Sequence, residues 1–531
     1  MMRTHGVTVA RRPSTPGRLA RLAAMSVVAG LAACAVGPNY RTPVSKLPQA
    51  YSASAGPAKS ASGTSSQAPG RAPSVDLADW WRSIGDPELN SLVDRAVKSN
   101  FDVEIALTRL QQARTYEAVV VGHALPEVDA TAGEARGTGN DLGRARAAQP
   151  LVSAANTNGL AEINTLVGFD AVWEIDLFGK YRRAFQAARF DAQAAAAARY
   201  GVLTSVIADV VRAYVDLRGY QVELGVLRQA SDVLRESQRI VNQRYERGIT
   251  NELDVTLATR ELETIDSEIA PEEAQVKAAQ NAIAVLLGEF PEDLAQELDT
   301  PELVPTTPDA TAPGIPLDLL KRRPDIIEAE RRLGAATARI GVATADLFPQ
   351  IALVGSIGAQ QGQGVGSGQT LGKHLWSFGP GAVWPLLDFG ALDAEADIAD
   401  LEAHATLVNY RSTIVNAVRE VDNAMDAYAA QRSRVDDLGR AMLAGQRAVQ
   451  LATERYNRGL TDFLNVVDAE RQYYEIQEQY TSAQTAEDEQ YVALYKSLGG
   501  GWQNYLEVPP IRRPQPAIVA AFRRTLSKAA Q

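Results

Sequence analysis

Two hydrophobic rhythms alternate along this chain, and each predicts a different element. The positions Val206, Val210, Ala213, Leu217, Tyr220, Leu224, Leu227, Ser231, Leu234, Gln238 and Val241 step by four and three residues in turn, and all but Ser231 and Gln238 are apolar. A sustained period of 3.5 predicts a long helix wound in a left-handed supercoil. A second helix keeps that rhythm through Ala417, Val421, Ala424, Tyr428, Val435, Leu438, Met442, Val449 and Ala452. At 1.5 Å per residue, about 65 residues make each helix ~100 Å long. Elsewhere the period drops to two. Phe169, Ala171, Trp173, Ile175 and Leu177 alternate with Asp170, Glu174 and Asp176, and Val128, Ala130 and Ala132 with Glu127, Asp129 and Thr131. Ile351, Leu353, Gly355 and Ile357 predict a third strand, and residues 376–387 a fourth. Such strands, with Trp173, Trp376 and Trp384 on the apolar side, fit a transmembrane β-barrel; a soluble sandwich with one wet face is the alternative. Four strands cannot close a barrel, because the smallest need about eight, so strands that span a membrane require an oligomer.

The rhythms recur because the chain is duplicated. Arg455-Tyr-Asn-Arg-Gly-Leu-Thr-Asp-Phe-Leu-Asn-Val-Val-Asp-Ala-Glu-Arg471 repeats Arg244-Tyr-Glu-Arg-Gly-Ile-Thr-Asn-Glu-Leu-Asp-Val-Thr-Leu-Ala-Thr-Arg260 at an offset of 211. Ala171-Val-Trp173 with Phe178-Gly179 returns at the same offset as Ala382-Val-Trp384 with Phe389-Gly390. Asp102, Ala106, Leu110, Ala113 and Pro126 return at 223 as Asp325, Ala329, Leu333, Ala336 and Pro349. The difference places a longer loop in the first half, roughly residues 137–164. Each copy reads helix, strand, loop, strand, long helix, tip and return helix. The tips turn at Gly248 and Gly459, where a left-handed backbone costs glycine little.

Composition narrows the function. With 46% hydrophobic residues the 531-residue chain folds, and no apolar run reaches the ~18 residues of a spanning helix. One cysteine excludes an intrachain disulfide, and His5, His123, His374 and His404 are scattered. No phosphate loop or metal spacing is present, so neither an enzyme nor a cofactor or metal is expected. Residues 1–33 hold five arginines and no acid, then an apolar stretch, which predicts a secretory signal. Losing those arginines takes the formal charge from −11 to −16, which argues against nucleic acid as a partner. Residues 34–79 read as an anchor and a tether rich in Ala, Ser, Gly and Pro. A helix starting at Pro87 is predicted behind an Asp86 cap. Residues 80–300 and 301–506 are the two repeats, and residues 507–531 a basic tail.

Several of these stretches together resemble a known family. Leu31-Ala-Ala-Cys34 resembles a bacterial lipobox, and Val36-Gly-Pro-Asn-Tyr40 follows it. With Asp86-Pro-Glu-Leu89, Leu320-Lys-Arg-Arg-Pro-Asp325, Leu347-Phe-Pro349, Asp388-Phe-Gly390 and the doubled Arg-Tyr-x-x-Gly, they resemble the TolC-like outer-membrane efflux lipoproteins of the OprM/NodT branch. The resemblance implies a mixed α+β membrane protein: a trimeric twelve-stranded transmembrane β-barrel, four strands per chain, continued by a long α-helical coiled-coil tube. It implies a homotrimer lipid-anchored in the outer membrane at Cys34, extending into the periplasm. Its partners would be a periplasmic adaptor protein and an inner-membrane pump of the resistance-nodulation-division (RND) class, for which it forms the exit duct. A duct for protein secretion is the second reading, and the lipobox favours the first. A coiled-coil surface protein would leave the four strands unexplained.

Two sets of residues then carry function. Leu464 and Asp468 lie on one helical face just past the second tip, where the first copy has Leu253 and Leu257. Three copies of Asp468 around one axis would crowd like charges, for which Arg471, with Arg455 or Arg458, would supply cations; an ordinary solvated helix face is the alternative. By the resemblance, Leu464 and Asp468 form a periplasmic gate, with Tyr456 and Arg471 in the links that hold it shut. Asn465 stands where the classical TolC protein has a second acid ring. The tips, with Tyr245, Arg247, Gly248 and Thr250 in one and Tyr456, Arg458, Gly459 and Thr461 in the other, are expected to dock the adaptor, since exposed Arg and Tyr concentrate interface energy.

Overall fold

The computed structural model describes residues 35–44, 76–136, 161–305, 307–308, 318–364 and 370–507. They fall into two compact units, each drawing on both halves of the sequence: Met1–Pro43, Ala113–Ala192 and Arg331–Val408 in the first, Val44–Gln112, Gln193–Glu330 and Asn409–Gln531 in the second.

The first unit holds one antiparallel sheet, ordered β1 (Glu127–Arg136), β2 (Ala161–Glu174), β3 (Gln350–Gly364) and β4 (Thr370–Val383). Register fixes its two faces. Ala130 sits opposite Phe169, Phe169 opposite Ile357, and Ile357 opposite Trp376, so the apolar residues of all four strands share one side. Val128, Phe169, Ile357, Trp376 and Phe378 on that side are exposed. The other side carries Asp129, Thr131, Asp170 and Ser356, with Thr131 donating to Asp170 (3.1 Å) and Ser356 bonded to Ser377 (2.7 Å). Among the described residues, β1 and β4 each have one unpaired edge.

Two boundaries differ from expectation. The fourth strand runs Thr370–Val383 rather than 376–387, because its partner β3 begins at Gln350, opposite Val383, and reaches back to Gln363, opposite Thr370. Trp384, Leu386 and Leu387 therefore lie beyond it. The second strand starts at Ala161, inside the stretch expected to be loop, of which residues 137–160 lie outside the described residues.

The helices are α1 (Pro87–Ser99), α2 (Phe101–His123), α3 (Lys180–Glu246), α4 (Glu252–Leu287), α5 (Pro291–Leu298), α6 (Leu319–Arg322), α7 (Pro324–Asp346), α8 (Ala391–Asn457) and α9 (Leu464–Ser497). Asp86 caps α1 as predicted, accepting from the Glu88 and Leu89 amides. Helices α3 and α8 each run 67 residues. In the second unit Val210, Leu217, Leu234 and Val241 of the predicted α3 stripe are buried. Its two polar members find partners on α4: Ser231 bonds Asp266, and Gln238 donates to Thr259 at 2.9 Å. The core gathers around Trp80 and Trp81, with Trp80 stacked on Tyr495 at 5.4 Å.

Two buried arginines explain charged motifs. Arg218 donates to Glu88 (2.6 Å), Tyr214 (3.1 Å) and the Thr300 carbonyl (2.8 Å), tying α3 to α1 and to the connector between the repeats. Arg323, of the Arg-Arg-Pro-Asp motif, donates to Asp325 and Glu420 (2.7 Å each) and to the Ser497 carbonyl (2.9 Å), binding α7, α8 and the end of α9. Such pairs add little net stability but fix how the helices pack.

Candidate functional site

The two hairpin tips share one backbone solution. Gly248 and Gly459 have φ of 69° and 71°, in the left-handed region. At the first tip Ile249 N–H donates to the Arg244 carbonyl and Gly248 N–H to that of Tyr245; Leu460 and Gly459 do the same with Arg455 and Tyr456. That double bond closes a helix end and uses its orphan carbonyls. Asn251 then caps α4 by accepting from the Asp254 amide. No side chain caps the start of α9 at Phe463.

The equivalent tyrosines nevertheless sit differently. Tyr245 is exposed, beside exposed Arg247 and half-buried Thr250. Tyr456 is 7% exposed, so it is not the surface tyrosine expected at the second tip. The Arg244 guanidinium lies over its ring at 4.4 Å, and Phe463 meets it at 5.2 Å. With Val241, Ala258, Val466 and Val467 these rings form a small core joining the two hairpins. Arg458 and Gly459 are exposed and Thr461 is half-buried. The pairing of Arg244 with Tyr456 is legible only in hindsight: each belongs to a copy of the same Arg-Tyr dipeptide.

Past the second tip, Leu464 is 55% exposed. Asp468 accepts from Arg471 (3.0 Å) and from Gln472 (2.9 Å), all on α9. Arg471 also lies 3.8 Å from Glu475. Arg458, expected as a counter-charge, pairs with Glu454 instead, because one helical turn brings the two together. An exposed pair of this kind is screened by water and is too weak to hold a gate by itself. Leu464, Asp468 and Arg471 line the mouth of a cleft of about 780 Å³ between α3, α4 and α9.

Cys34 lies outside the described residues, but the arm after it is anchored in the first unit. Val36 N–H donates to the Phe178 carbonyl (3.0 Å), and Arg183 donates to the carbonyls of Val36 and Gly37 (3.0 Å each). A Cβ on Gly37 would lie 2.5 Å from Gly341 Cα, so the motif's glycine permits that approach. The arm thus starts just past the end of β2.

The halves match in detail. Trp173 donates through its indole to the Ala124 carbonyl (3.0 Å), and Trp384 to the Leu347 carbonyl (3.1 Å), in each case the residue two before the repeat's proline. Among known proteins, the model of the outer membrane efflux protein family matches residues 92–289 and 315–500. The chain is 29% identical over 503 residues to Nodulation protein T of Rhizobium leguminosarum bv. viciae, covering 94% of this chain and 97% of that protein. It is 30% identical over 485 residues to outer membrane protein OprJ of Pseudomonas aeruginosa, covering 91% and 96%. Among solved structures it is similar to the outer-membrane channel OprN, with a TM-score of 0.75 and 34% identity over 88% of this chain and 100% of that one.

Proposed function

Because the chain belongs to the outer membrane efflux protein family, we propose that three copies of it form the exit duct of a tripartite small-molecule efflux pump. Members of the family are channels of the outer membrane, not enzymes, and this protein is an outer-membrane efflux channel extending into the periplasm. The finer reading covers the trimer, the barrel, the lipid on Cys34 and the division into repeats at 80–300 and 301–506. It also covers docking to a periplasmic adaptor and an RND-class pump. A duct for protein secretion is the second reading. The lipobox at Cys34 and the seating of the arm beside the end of β2 favour a lipid-anchored efflux duct.

One observation carries the trimer: among the described residues the sheet has two unpaired edges, and its strands come in two pairs related by the sequence offsets. Within the chain β2, from the first repeat, pairs with β3, from the second, and Ala171 faces Gly355. Shifted by the repeat offsets of 211 and 223, that pair becomes Ala382 on β4 facing Ala132 on β1 of a neighbouring copy. Both residues lie on the apolar side, so the new seam continues the same face. The same shift turns the stacked Phe178 and Phe348, 4.7 Å apart, into Phe389 against Leu125 of the neighbour. Phe389 is 97% exposed and Leu125 is exposed as well. It also turns the Arg244–Tyr456 contact into Arg455 over Tyr245 of the neighbour, which gives the exposed half of each Arg-Tyr dipeptide a partner. Exposed Leu401, Val408 and Val415, one heptad apart on α8, gain cover in the same way. Twelve strands then close with no open edge.

The test is cross-linking. With Cys34, the only native cysteine, changed to Ser, the pair Ala132→Cys and Ala382→Cys should oxidise to covalent trimers. The pair Ala130→Cys and Ala382→Cys, two residues out of register, should not. Equal yields, or dimers that never reach trimer, would refute the proposed seam.

A further inference from the structure

Helix α9 rests on the first hairpin through buried acids. Glu470 of α9 is 4% exposed and Glu261 of α4 is 5% exposed. One oxygen of Glu470 has no hydrogen-bond partner. Burial, reinforced by Glu261 opposite and eased by a bond from Ser237 of α3, pushes the Glu470 carboxyl up to about 7. The other ionisable groups around this pair are Arg260, 3.4 Å from Glu261, and Tyr474 and Arg471 on α9. The pattern continues along the seam. Glu223 of α3 has Glu272 of α4 and Glu478 of α9 beside it, and burial first, then those acids, pushes it up to about 7. Asp216 of α3 has Glu489 of α9 beside it, with Arg212 nearby; burial, then Glu489, pushes it up to about 7. Carboxyls packed together away from water repel unless one keeps its proton.

We propose that this seam is a proton-operated clamp: protons kept on the buried, facing carboxyls let α9, which carries Leu464 and Asp468, rest against the first hairpin, and their loss lets α9 part from it. The clamp regulates the gate of the proposed duct and so rests on that reading. The duplication argues that the acids are not there for packing. At the repeat-equivalent positions Glu261 becomes Gln472 and Glu470 becomes Thr259, so this acid pair belongs to the seam within the chain and its counterpart at a neighbouring copy is uncharged. Among the described residues no group of three or more His, Cys, Asp or Glu side chains is arranged to hold a metal ion, which favours a proton over a metal as the cation held there.

The sign follows from the raised carboxyl. Burial first, then Glu261, pushes the Glu470 carboxyl from the ordinary 4.5 up to about 7 in the closed seam. Its contribution is therefore present in full below 4.5 and is lost as pH rises to about 7. Linkage through this one group caps the change in the clamp equilibrium at roughly 300-fold. Spin labels on exposed Glu263→Cys of α4 and Gln479→Cys of α9, with Cys34→Ser, would read the seam directly in the full trimer. The distance should lengthen between about pH 5 and pH 8, and Glu470→Gln or Glu261→Gln should hold it short at both. A distance that ignores pH, or that lengthens equally in both glutamine variants, overturns the clamp. Magnesium at pH 8 restoring the short distance would also overturn it, because the occupant would then be a metal cation. The gate is read separately, by the conductance of Asp468→Ala with Arg471→Ala at pH 5. If that stays unchanged while the seam still responds, the gate assignment fails and the clamp stands.

Discussion

The double variant Asp468→Ala with Arg471→Ala is expected to raise single-channel conductance several-fold and to admit large antibiotics that the native duct excludes. Within one chain the two side chains form an exposed pair at 3.0 Å, which is weak by itself. The large effect comes from assembly. Three copies of Asp468 around a common axis repel one another unless cations stay close, and Arg471, one helical turn on, is the cation each aspartate already holds. In the proposed trimer Leu464, exposed one turn before Asp468, would add an apolar collar at the same level. Removing both charges removes the polar part of the closure without burying an unpaired group. The measurement is single-channel conductance with an antibiotic-uptake assay beside it. Unchanged conductance would return Asp468 to an ordinary solvated helix face.

The second large effect is expected at the tip. Gly459→Trp should leave trimer formation and bilayer conductance intact but abolish cross-linking to the adaptor and drug resistance. No other group lies within 4 Å of a Cβ built at Gly459, so the chain itself has room for a side chain. The left-handed φ costs ~1–2 kcal/mol for a residue other than glycine, small for a protein held by long packed helices. A partner packed closely on the turn would have no such room. Gly459→Asn, which tolerates that conformation, separates the two costs and should keep most resistance. Resistance retained by the Trp variant at normal expression would make the tips plain helix ends and move docking elsewhere.

What the sequence disclosed followed from how repetitive each physical constraint is. The stripe from Val206 to Val241 had to face the core over many turns, so its period survived in the residues, and its exceptions, Ser231 and Gln238, still found polar partners on α4. Alternation marked β2 cleanly up to Glu174. It failed to mark the start of β4, where Thr370, Gly372 and His374 precede Trp376 in the pattern in place of apolar residues, and ran past its end at Val383. The glycine tips were legible because a helix reversal needs a left-handed residue. The tip core was not, since Arg244 over Tyr456 joins residues far apart in sequence. The buried acids were least legible of all. Glu261 and Glu470 read as solvated helix positions, and only three helices meeting along one seam remove their water.

Whether this chain builds a water-filled pore through the outer membrane is read from the conductance of the purified protein in a planar bilayer. Discrete, long-lived steps are expected, small for the native protein and several-fold larger for Asp468→Ala with Arg471→Ala. A folded, membrane-inserted trimer that passes no current in either form would contradict the pore.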